Sequence, residues 1–248
     1  MIRLETHDAT ARLLIDRASK RNALTQAMWE AIPPIVAAAE ADAAVRVVVL
    51  ASAEPGVFAA GADIAELDAN AADPAWRSAN RQAIRAAQLA VTRAAKPTIA
   101  EIDGDCIGGG CGLAIACDLR VATPRARFGI TPARLGLAYP LHDVKLLVDL
   151  VGPAQAKRIL YTGAFIDSAE ALRIGLVDEI ADSAAALINA VAAGSPYSHR
   201  ANKLSVRRVL DSATDDDAQS IAAFEAAFDG PDFAEGIAAF RERRSPRF

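Results

Sequence analysis

The sequence predicts an α/β protein of stacked strand–helix–strand units with a helical region at its C-terminal end. Residues 45–51 and 98–102 are almost wholly apolar, which is typical of strands that are covered on both faces. Each of these strands leads through a glycine-containing loop into a helical pattern. A recurring order of strand, loop, helix and strand favours right-handed crossover units. From residue 143 onward, helical patterns dominate.

The elements before the second buried strand follow from local patterns. Residues 2–6 and 11–16 suit the two strands of a β-hairpin. Thr25 suits the N-cap of a helix from residue 26 to about 42, in which Pro33 and Pro34 predict a kink or a break. A long loop over 52–61 precedes a short helix near 62–67 and an amphipathic helix over 75–94.

Beyond the second buried strand, the sequence alternates between glycine-rich and apolar segments. Residues 104–110 predict a glycine-rich turn, 111–117 an apolar helix, and 118–122 and 127–130 two further strands. Gly194 and Pro196 mark a break near residues 192–197. We therefore expect a core over residues 1–192 and a separate helical region over 193–248.

Composition restricts the class of protein. The 248 residues carry a net charge of −4, with 52% hydrophobic and 23% charged residues, which gives no reason to expect nucleic acid as the main partner. We expect no membrane span and no signal or transit peptide. Cys106, Cys111 and Cys117 include no CxxC pair and lie in an apolar stretch, so they predict buried free thiols and, by default, a reducing cytoplasm.

Two loops have the same physical design. Residues 57–64 and 103–112 each run from a buried strand through glycine into a helix, whose first N–H groups carry partial positive charge. If the loops lie side by side, each can direct one N–H group at a single oxygen atom, which forms an oxyanion hole. Glycines that serve helix–strand packing alone are the structural alternative. A dinucleotide-binding turn is disfavoured because the glycines do not form GxGxxG.

Five segments together resemble the crotonase superfamily, which includes the enoyl-CoA hydratases and isomerases. They are the RNAL segment at Arg21, the FxAGADI-like residues 58–64, the segment from Lys96 through the GGGC residues 108–111 to Asp118, the AxEA…GLV residues 169–177, and the tail over 235–246. The match covers nearly the whole chain. It implies a crotonase-like spiral of stacked ββα units, an acyl-CoA substrate, and a homotrimer or a hexamer made of two trimers.

The resemblance also implies which residues form the site. The oxyanion donors would be the N–H groups of Ala62 and Gly109. The positions implied for CoA binding, among which Ala62 occurs again, are Arg21, Ala60, Ala62, Asp63, Ile64, Phe240 and Arg243. CoA is then part of the substrate, and no metal or redox cofactor is indicated. Taken alone, Phe240 suits core packing, Arg243 a solvated helix face, and Asp63 the start of a helix.

The chain departs from the hydratase pattern at both catalytic positions. Hydratases of this family use two glutamates to orient and activate water. The first should follow GGGC directly, where this chain has Gly112, and the second falls on Pro132. Neither glycine nor proline has a side chain that can accept a proton. Efficient hydration by the two-glutamate mechanism is therefore not expected.

The segment from Thr131 to Tyr139 resembles the TPAxLGxxY segment of the methylmalonyl-CoA decarboxylase branch of the superfamily. There the tyrosine at the position of Tyr139 lies in the active site. Loss of CO₂ from a malonyl-type thioester itself creates the enolate, so a decarboxylase needs little general-base help. We expect Tyr139 to bind the carboxylate or to supply a proton.

Two neighbouring residues have competing interpretations. His142 is a candidate proton carrier, with an exposed loop histidine as the structural alternative. Asp143 suits a helix N-cap better than an acid or base. The favoured function is a CoA-thioester lyase, decarboxylase or isomerase that works through a thioester enolate. The alternatives are an enoyl-CoA hydratase with an atypical site and a catalytically silent acyl-CoA-binding subunit.

Overall fold

The computed structural model describes all 248 residues and contains ten strands and eleven α-helices. The strands are β1 Ile2–His7, β2 Thr10–Ile15, β3 Val47–Ser52, β4 Val57–Ala59, β5 Thr98–Ile102, β6 Asp105–Ile107, β7 Leu119–Ala122, β8 Arg127–Gly129, β9 Ile166–Asp167 and β10 Glu179–Ile180. The helices are α1 Gln26–Ala41, α2 Ile64–Asn70, α3 Pro74–Thr92, α4 Gly109–Ala114, α5 Pro132–Leu135, α6 Leu141–Thr162, α7 Ser168–Arg173, α8 Ala185–Ala192, α9 Pro196–Leu210, α10 Ala218–Phe228 and α11 Pro231–Glu242.

Two sheets divide the strands between them. The larger sheet has the order β1-β2-β3-β5-β7-β10, in which only the β1–β2 hairpin is antiparallel. The smaller sheet has the order β4-β6-β8-β9, with β9 antiparallel to β8. Consecutive strands such as β5 and β6 therefore belong to different sheets, and a helix follows each such pair. This arrangement is the predicted spiral of ββα units.

The structure corrects the predicted loops. Strand β4 lies inside the loop expected over 52–61, and β6 lies inside the glycine-rich turn expected over 104–110. Both strands have three residues, which is too short for a periodic pattern. They form because they pair with each other in parallel, and this pairing joins residues that are distant in the chain.

Helix α1 begins at the predicted N-cap but is not broken by its prolines. The Thr25 hydroxyl accepts a hydrogen bond from the Met28 N–H group, and the helix continues past Pro33 and Pro34 to Ala41. Of the two expected outcomes, the break is therefore wrong, and the kink stays a prediction. Trp29 and Ile32 are buried on the same helix, and burial of such side chains outweighs the loss of two backbone hydrogen bonds.

The largest of three buried apolar clusters joins side chains of both sheets to the helices that cover them. Cys106, Cys111 and Cys117 are buried in it as free thiols, as predicted, and burial raises the pKa of Cys117 to about 12. Helix α8 ends at Ala192 and α9 begins at Pro196, at the expected boundary. The division into two regions remains a prediction. No helix has both the length and the apolar composition needed to cross a bilayer.

Asp103 holds the loop before β4 through a hydrogen bond from Gly56. We expect its ionisation to make the free energy of unfolding fall at acid pH. Its carboxylate accepts hydrogen bonds from Arg125, the Thr123 hydroxyl and the Gly56 N–H group. The Arg125 hydrogen bond is the main reason that the pKa of Asp103 is lowered to about 2. The ionised form is therefore favoured by folding, and its contribution is complete above the unfolded pKa of about 4.

We expect Asp103→Asn to lower the free energy of unfolding at pH 7 by at most about 2 kcal/mol, since Arg125 is mostly exposed and screened. The difference from wild type should shrink as pH falls from about 4 to about 2. Urea unfolding at pH 7 and pH 2.5 measures it. Asp68→Asn is the control, because exposed Asp68 makes no hydrogen bond or ion pair within the chain. Equal losses for Asp103→Asn at both pH values would contradict this account.

Candidate active site

The two glycine-containing loops lie side by side, as the oxyanion-hole hypothesis requires. Strand β4 leads through Gly61 to α2, and β6 leads through Gly108 to α4. Gly61 has a φ of +96°, and a Cβ added there would lie 3.1 Å from the Ile107 carbonyl oxygen and 3.6 Å from the Gly109 nitrogen. Only glycine permits both this conformation and this close approach of the loops.

The N–H groups of Ala62 and Gly109 are neighbours without an acceptor. Neither amide donates a hydrogen bond to any atom of the chain. A Cβ added to Gly109 would lie 4.0 Å from the Ala62 nitrogen. Gly109 is the first residue of α4, where an amide has no partner within the helix. Two free donors with partial positive charge can therefore bind one oxygen that gains negative charge.

Three polar side chains surround Gly112, the position at which the resemblance implies the first hydratase glutamate. A Cβ added to Gly112 would lie 2.8 Å from Gln88 Nε2, 3.6 Å from Asp143 Oδ1 and 3.9 Å from Tyr139 Oη. Gly112 follows Gly109 by three residues, so both lie on one face of α4. The structure thus brings Tyr139 close to the predicted oxyanion donors, and it places Asp143 there as well.

Asp143 is not the N-cap that the sequence suggested. Helix α6 begins at Leu141, with Pro140 at the N-cap, and Asp143 lies in the first turn without capping it. The Asp143 side chain is buried, and its Oδ1 accepts a hydrogen bond of 2.7 Å from Gln88 Nε2. Burial is the main cause of a raised pKa of Asp143, and the bond from Gln88 opposes that shift.

Tyr139 and His142 are both half-buried beside this carboxyl group. Burial, followed by the nearby Cys111 and Asp143, raises the pKa of Tyr139 well above its usual range, so its phenol stays protonated. Its hydroxyl makes no hydrogen bond within the chain. His142 is not an exposed loop histidine, because it lies in α6 with its Nδ1 3.7 Å from Asp143 Oδ2 and its buried Nε2 unpartnered.

The residues implied for CoA binding are spread over several elements. Arg21 has a φ of +52°, and its guanidinium pairs with the Asp105 carboxylate. Ala60 and Ala62 belong to the first loop. Asp63 caps α2, as its structural alternative predicted, and also pairs with Arg17 at 2.7 Å. The Ile64 side chain is exposed.

The two implied tail residues lie at the end of α11. Phe240 is 83% exposed, so core packing within this chain is the wrong interpretation of it. Arg243 has a φ of +55° and lies just beyond the last helical residue instead of on a helix face. Contact of either residue with CoA stays a prediction.

Pro132, at which the resemblance implies the second hydratase glutamate, is the buried first residue of α5. Proline is favoured at the first helical position, because its missing N–H group would have no partner there. The structure therefore gives Pro132 a local structural role and no side-chain chemistry.

Sequence reasoning missed Gln88 and Trp29. Gln88 is 1% exposed and lies beside Ala87 and Val91 on the buried face of α3. A polar residue within the apolar face of a helix was therefore the sequence signal that could have identified Gln88. Trp29 on α1 is buried, and its ring lies 3.0 Å from where a Gly109 Cβ would be. No sequence pattern links these two positions to the glycine loops.

A cavity of about 550 Å³ lies between α3, α6 and α9, next to this site. Gln88 and His142 are among its lining residues, whereas Ala62, Gly109, Gly112 and Tyr139 are not. The cavity is therefore distinct from the oxyanion loops.

Paired loops that present two free amides beside a buried carboxyl group define a protein that can stabilise an oxyanion. A profile of the enoyl-CoA hydratase/isomerase family matches residues 5–248, so this chain belongs to that family and acts on CoA thioesters. A crotonyl-CoA hydratase of Syntrophomonas wolfei is 32% identical, with 99% of this chain and 96% of the relative aligned.

Solved structures agree with this assignment. An enoyl-CoA hydratase/carnitine racemase from Magnetospirillum magneticum superposes with a TM-score of 0.94 at 33% identity, covering 100% of this chain and 94% of that one. An enoyl-CoA hydratase from Bacillus anthracis gives a TM-score of 0.91 at 27% identity, covering 100% and 98%. The fold is thus the crotonase fold that the resemblance predicted.

Proposed function

We propose that this enzyme forms a thioester enolate and completes a lyase, decarboxylase or isomerase reaction instead of hydration by paired glutamates. The observation that carries the proposal is the pair of free N–H groups, at Ala62 and Gly109, beside a site with Gly112 and Pro132 at the two glutamate positions. The amides stabilise negative charge on the thioester oxygen, and this is the part of the chemistry that all three reactions share.

Decarboxylation suits this site better than addition of water. Adding water to a carbon–carbon double bond requires a base that orients and deprotonates the water molecule. Breaking the bond to a carboxylate leaves its electron pair on the α-carbon, and the electrons pass to the thioester oxygen held by the two amides. The protonated Tyr139 hydroxyl, which has no partner within the chain, is suited to hydrogen-bond the carboxylate of such a substrate.

Hydration remains the second candidate, because the curated relatives carry hydratase names, among them the crotonyl-CoA hydratase of Syntrophomonas wolfei. A silent acyl-CoA-binding subunit is the third, because it needs only the loops and the tail. Mass spectrometry after incubation with crotonyl-CoA and with methylmalonyl-CoA separates them. Loss of CO₂ from the second thioester supports our proposal, and gain of water by the first contradicts it. If neither changes, direct binding of CoA esters tests the silent subunit.

We expect Tyr139→Phe to lower kcat/KM for a carboxylated thioester by roughly 10- to 100-fold, the usual cost of one hydrogen bond to a charged group. The ring and its packing are kept, so stability should change little. Tyr161→Phe is the matched control, because the Tyr161 side chain is 74% exposed on the last turn of α6. Equal steady-state rates for wild type and Tyr139→Phe would remove the tyrosine from the mechanism.

We further propose that α9 to α11 mediate assembly into a trimer or a hexamer. Large apolar side chains are exposed along these helices, including Val209, Phe224, Phe228 and Phe240. Such a surface is typical of a subunit interface. Sedimentation equilibrium of the full chain distinguishes monomer, trimer and hexamer.

A further inference from the structure

Asp143 lies beside Gly112, the position at which the resemblance implies the first hydratase glutamate. Gly112 lies one helical turn from Gly109, about 4.5 Å further along the axis of α4. A thioester whose oxygen is bound at Gly109 therefore has its neighbouring carbons near the face of Gly112 that Gln88, Asp143 and Tyr139 surround. We infer that Asp143 is a catalytic acid that delivers a proton to the α-carbon of the enolate, an inference that rests on the proposed function.

The geometry supports a direct role. Asp143 Oδ1 lies 3.6 Å from the position that a Cβ of residue 112 would occupy, on the face shared with Gly109. The carboxyl group thus reaches, from α6, the space beside Gly112, which Gln88 Nε2 also enters from α3. Gln88 Nε2 donates to the same oxygen at 2.7 Å and fixes its direction. Tyr139 Oη lies 3.9 Å from the same Cβ position.

The surroundings of Asp143 favour the protonated form. Its side chain is 6% exposed, and no Lys or Arg pairs with it. The titratable and polar groups around it are His142 beside it on α6, Gln88 from α3 and Tyr139 from the segment before α6. Only Gln88 donates a hydrogen bond to the carboxyl group at normal length. A buried acid with so little compensation keeps its proton more readily than an exposed one.

The proposed step is balanced. After a bond at the α-carbon breaks, the electron pair lies on the enolate, whose oxygen is held by the Ala62 and Gly109 N–H groups. The enolate carbon takes the proton from Asp143, the carbon–oxygen double bond of the thioester forms again, and the Asp143 carboxylate remains. A proton from solvent then restores the acid.

The alternative is a structural hydrogen bond that joins α3 to α6. The two roles differ in their response to Asp143→Asn. Asparagine keeps the size and the oxygen that accepts from Gln88, so a structural role would survive. It cannot exchange a proton with carbon, so an acid would be lost.

The experiment measures exchange of the α-hydrogens of butyryl-CoA with D₂O by proton NMR. This exchange uses the same enolate in both directions and needs no knowledge of the natural acyl group. We expect exchange with wild type, a loss of at least about 100-fold for Asp143→Asn, and partial recovery for Asp143→Glu. Asp149→Asn, on the same helix but paired with Lys145, is the control and should match wild type.

Thermal unfolding provides the second measurement. Because folding raises the pKa of Asp143, the folded chain binds this proton more tightly than the unfolded chain, and stability falls as pH rises through the folded pKa. Asp143→Asn removes that penalty, so its Tm at pH 7 should equal or exceed that of wild type. A large loss of Tm together with undiminished exchange would show that Asp143 is structural.

The outcomes separate this inference from the proposed function. Full exchange by Asp143→Asn, with exchange lost in Gly109→Pro, would overturn the role of Asp143 and leave the enolate chemistry standing. No exchange by wild type would overturn both.

Discussion

Replacing Gly109 by proline should lower kcat by about 10²- to 10³-fold, for whichever thioester the wild type converts, because it removes one of two oxyanion donors. The substitution deletes the N–H group at a position where helices tolerate proline, the first residue of α4. The partner amide at Ala62 remains. Steady-state kinetics should show the loss mainly in kcat, since negative charge on the oxygen is largest after the substrate is bound.

Gly109→Ala is the matched control for this substitution. It introduces the same Cβ, 3.0 Å from the Trp29 ring, but keeps the N–H group. Any effect of crowding therefore appears in both variants, and the effect of the missing donor appears only with proline. Equal kcat values for the two variants would show that the Gly109 amide does not contact the reacting oxygen.

Replacing Gly104 by alanine should strongly destabilise the fold, because the added methyl group would overlap backbone atoms of a neighbouring loop. Gly104 lies between β5 and β6, has a φ of +78°, and an added Cβ would lie 1.8 Å from the Gly56 carbonyl oxygen. Backbone atoms cannot move aside as a flexible side chain can. We expect a loss of roughly 3 kcal/mol in the free energy of unfolding, from the left-handed conformation and the overlap together.

Gly136→Ala separates the cost of the left-handed conformation from the cost of the overlap with backbone atoms. Gly136 also has a positive φ, +66°, but an added Cβ would have no heavy atom within 4 Å. Its substitution should cost only about 1 kcal/mol, the conformational part. Urea unfolding of both variants gives the comparison. Similar losses for the two would mean that the loop before β4 moves away from Gly104 at little cost.

Both loops serve the site by bringing backbone atoms unusually close. Gly110 shows the same constraint, because an added Cβ would lie 2.5 Å from the Ala59 side chain. The free amides at Ala62 and Gly109 are held by this packing, not by hydrogen bonds of their own. A stabilising site of this kind needs no reorganisation when charge develops, which is the main source of its catalytic effect.

Local chemistry was enough to predict much of the molecule. The apolar runs of β3 and β5, the Thr25 cap and the glycine loops depend on neighbours within a few residues, and the structure contains all of them. The free amide of Gly109 agrees with a local rule, since a helix leaves its first N–H groups without internal partners. Ala62 precedes the N-cap of α2, and its choice as the second donor came from the family resemblance. The spiral was predicted through the family resemblance of its motifs.

The position of the Asp143 carboxyl group, in contrast, depends on residues that are distant in the chain. Asp143 looked like a helix cap because helical patterns dominate the sequence from residue 143 onward. Its actual surroundings, Gln88 on α3 and Gly112 on α4, are 55 and 31 positions away in the chain. The pKa of Asp143 depends on that burial, so it could not be inferred from local sequence.

The sequence by itself predicted the family, the glycine loops and, through the resemblance, a site without either hydratase glutamate, because each is a matter of residue type and spacing. Tertiary structure alone decided that three-residue strands such as β4 and β6 pair, that α1 runs through Pro33 and Pro34, and that Gln88, Tyr139 and Asp143 meet at Gly112. The physical reason is that pairing and burial bring together groups from distant parts of the chain, whereas conformational preference acts over a few residues.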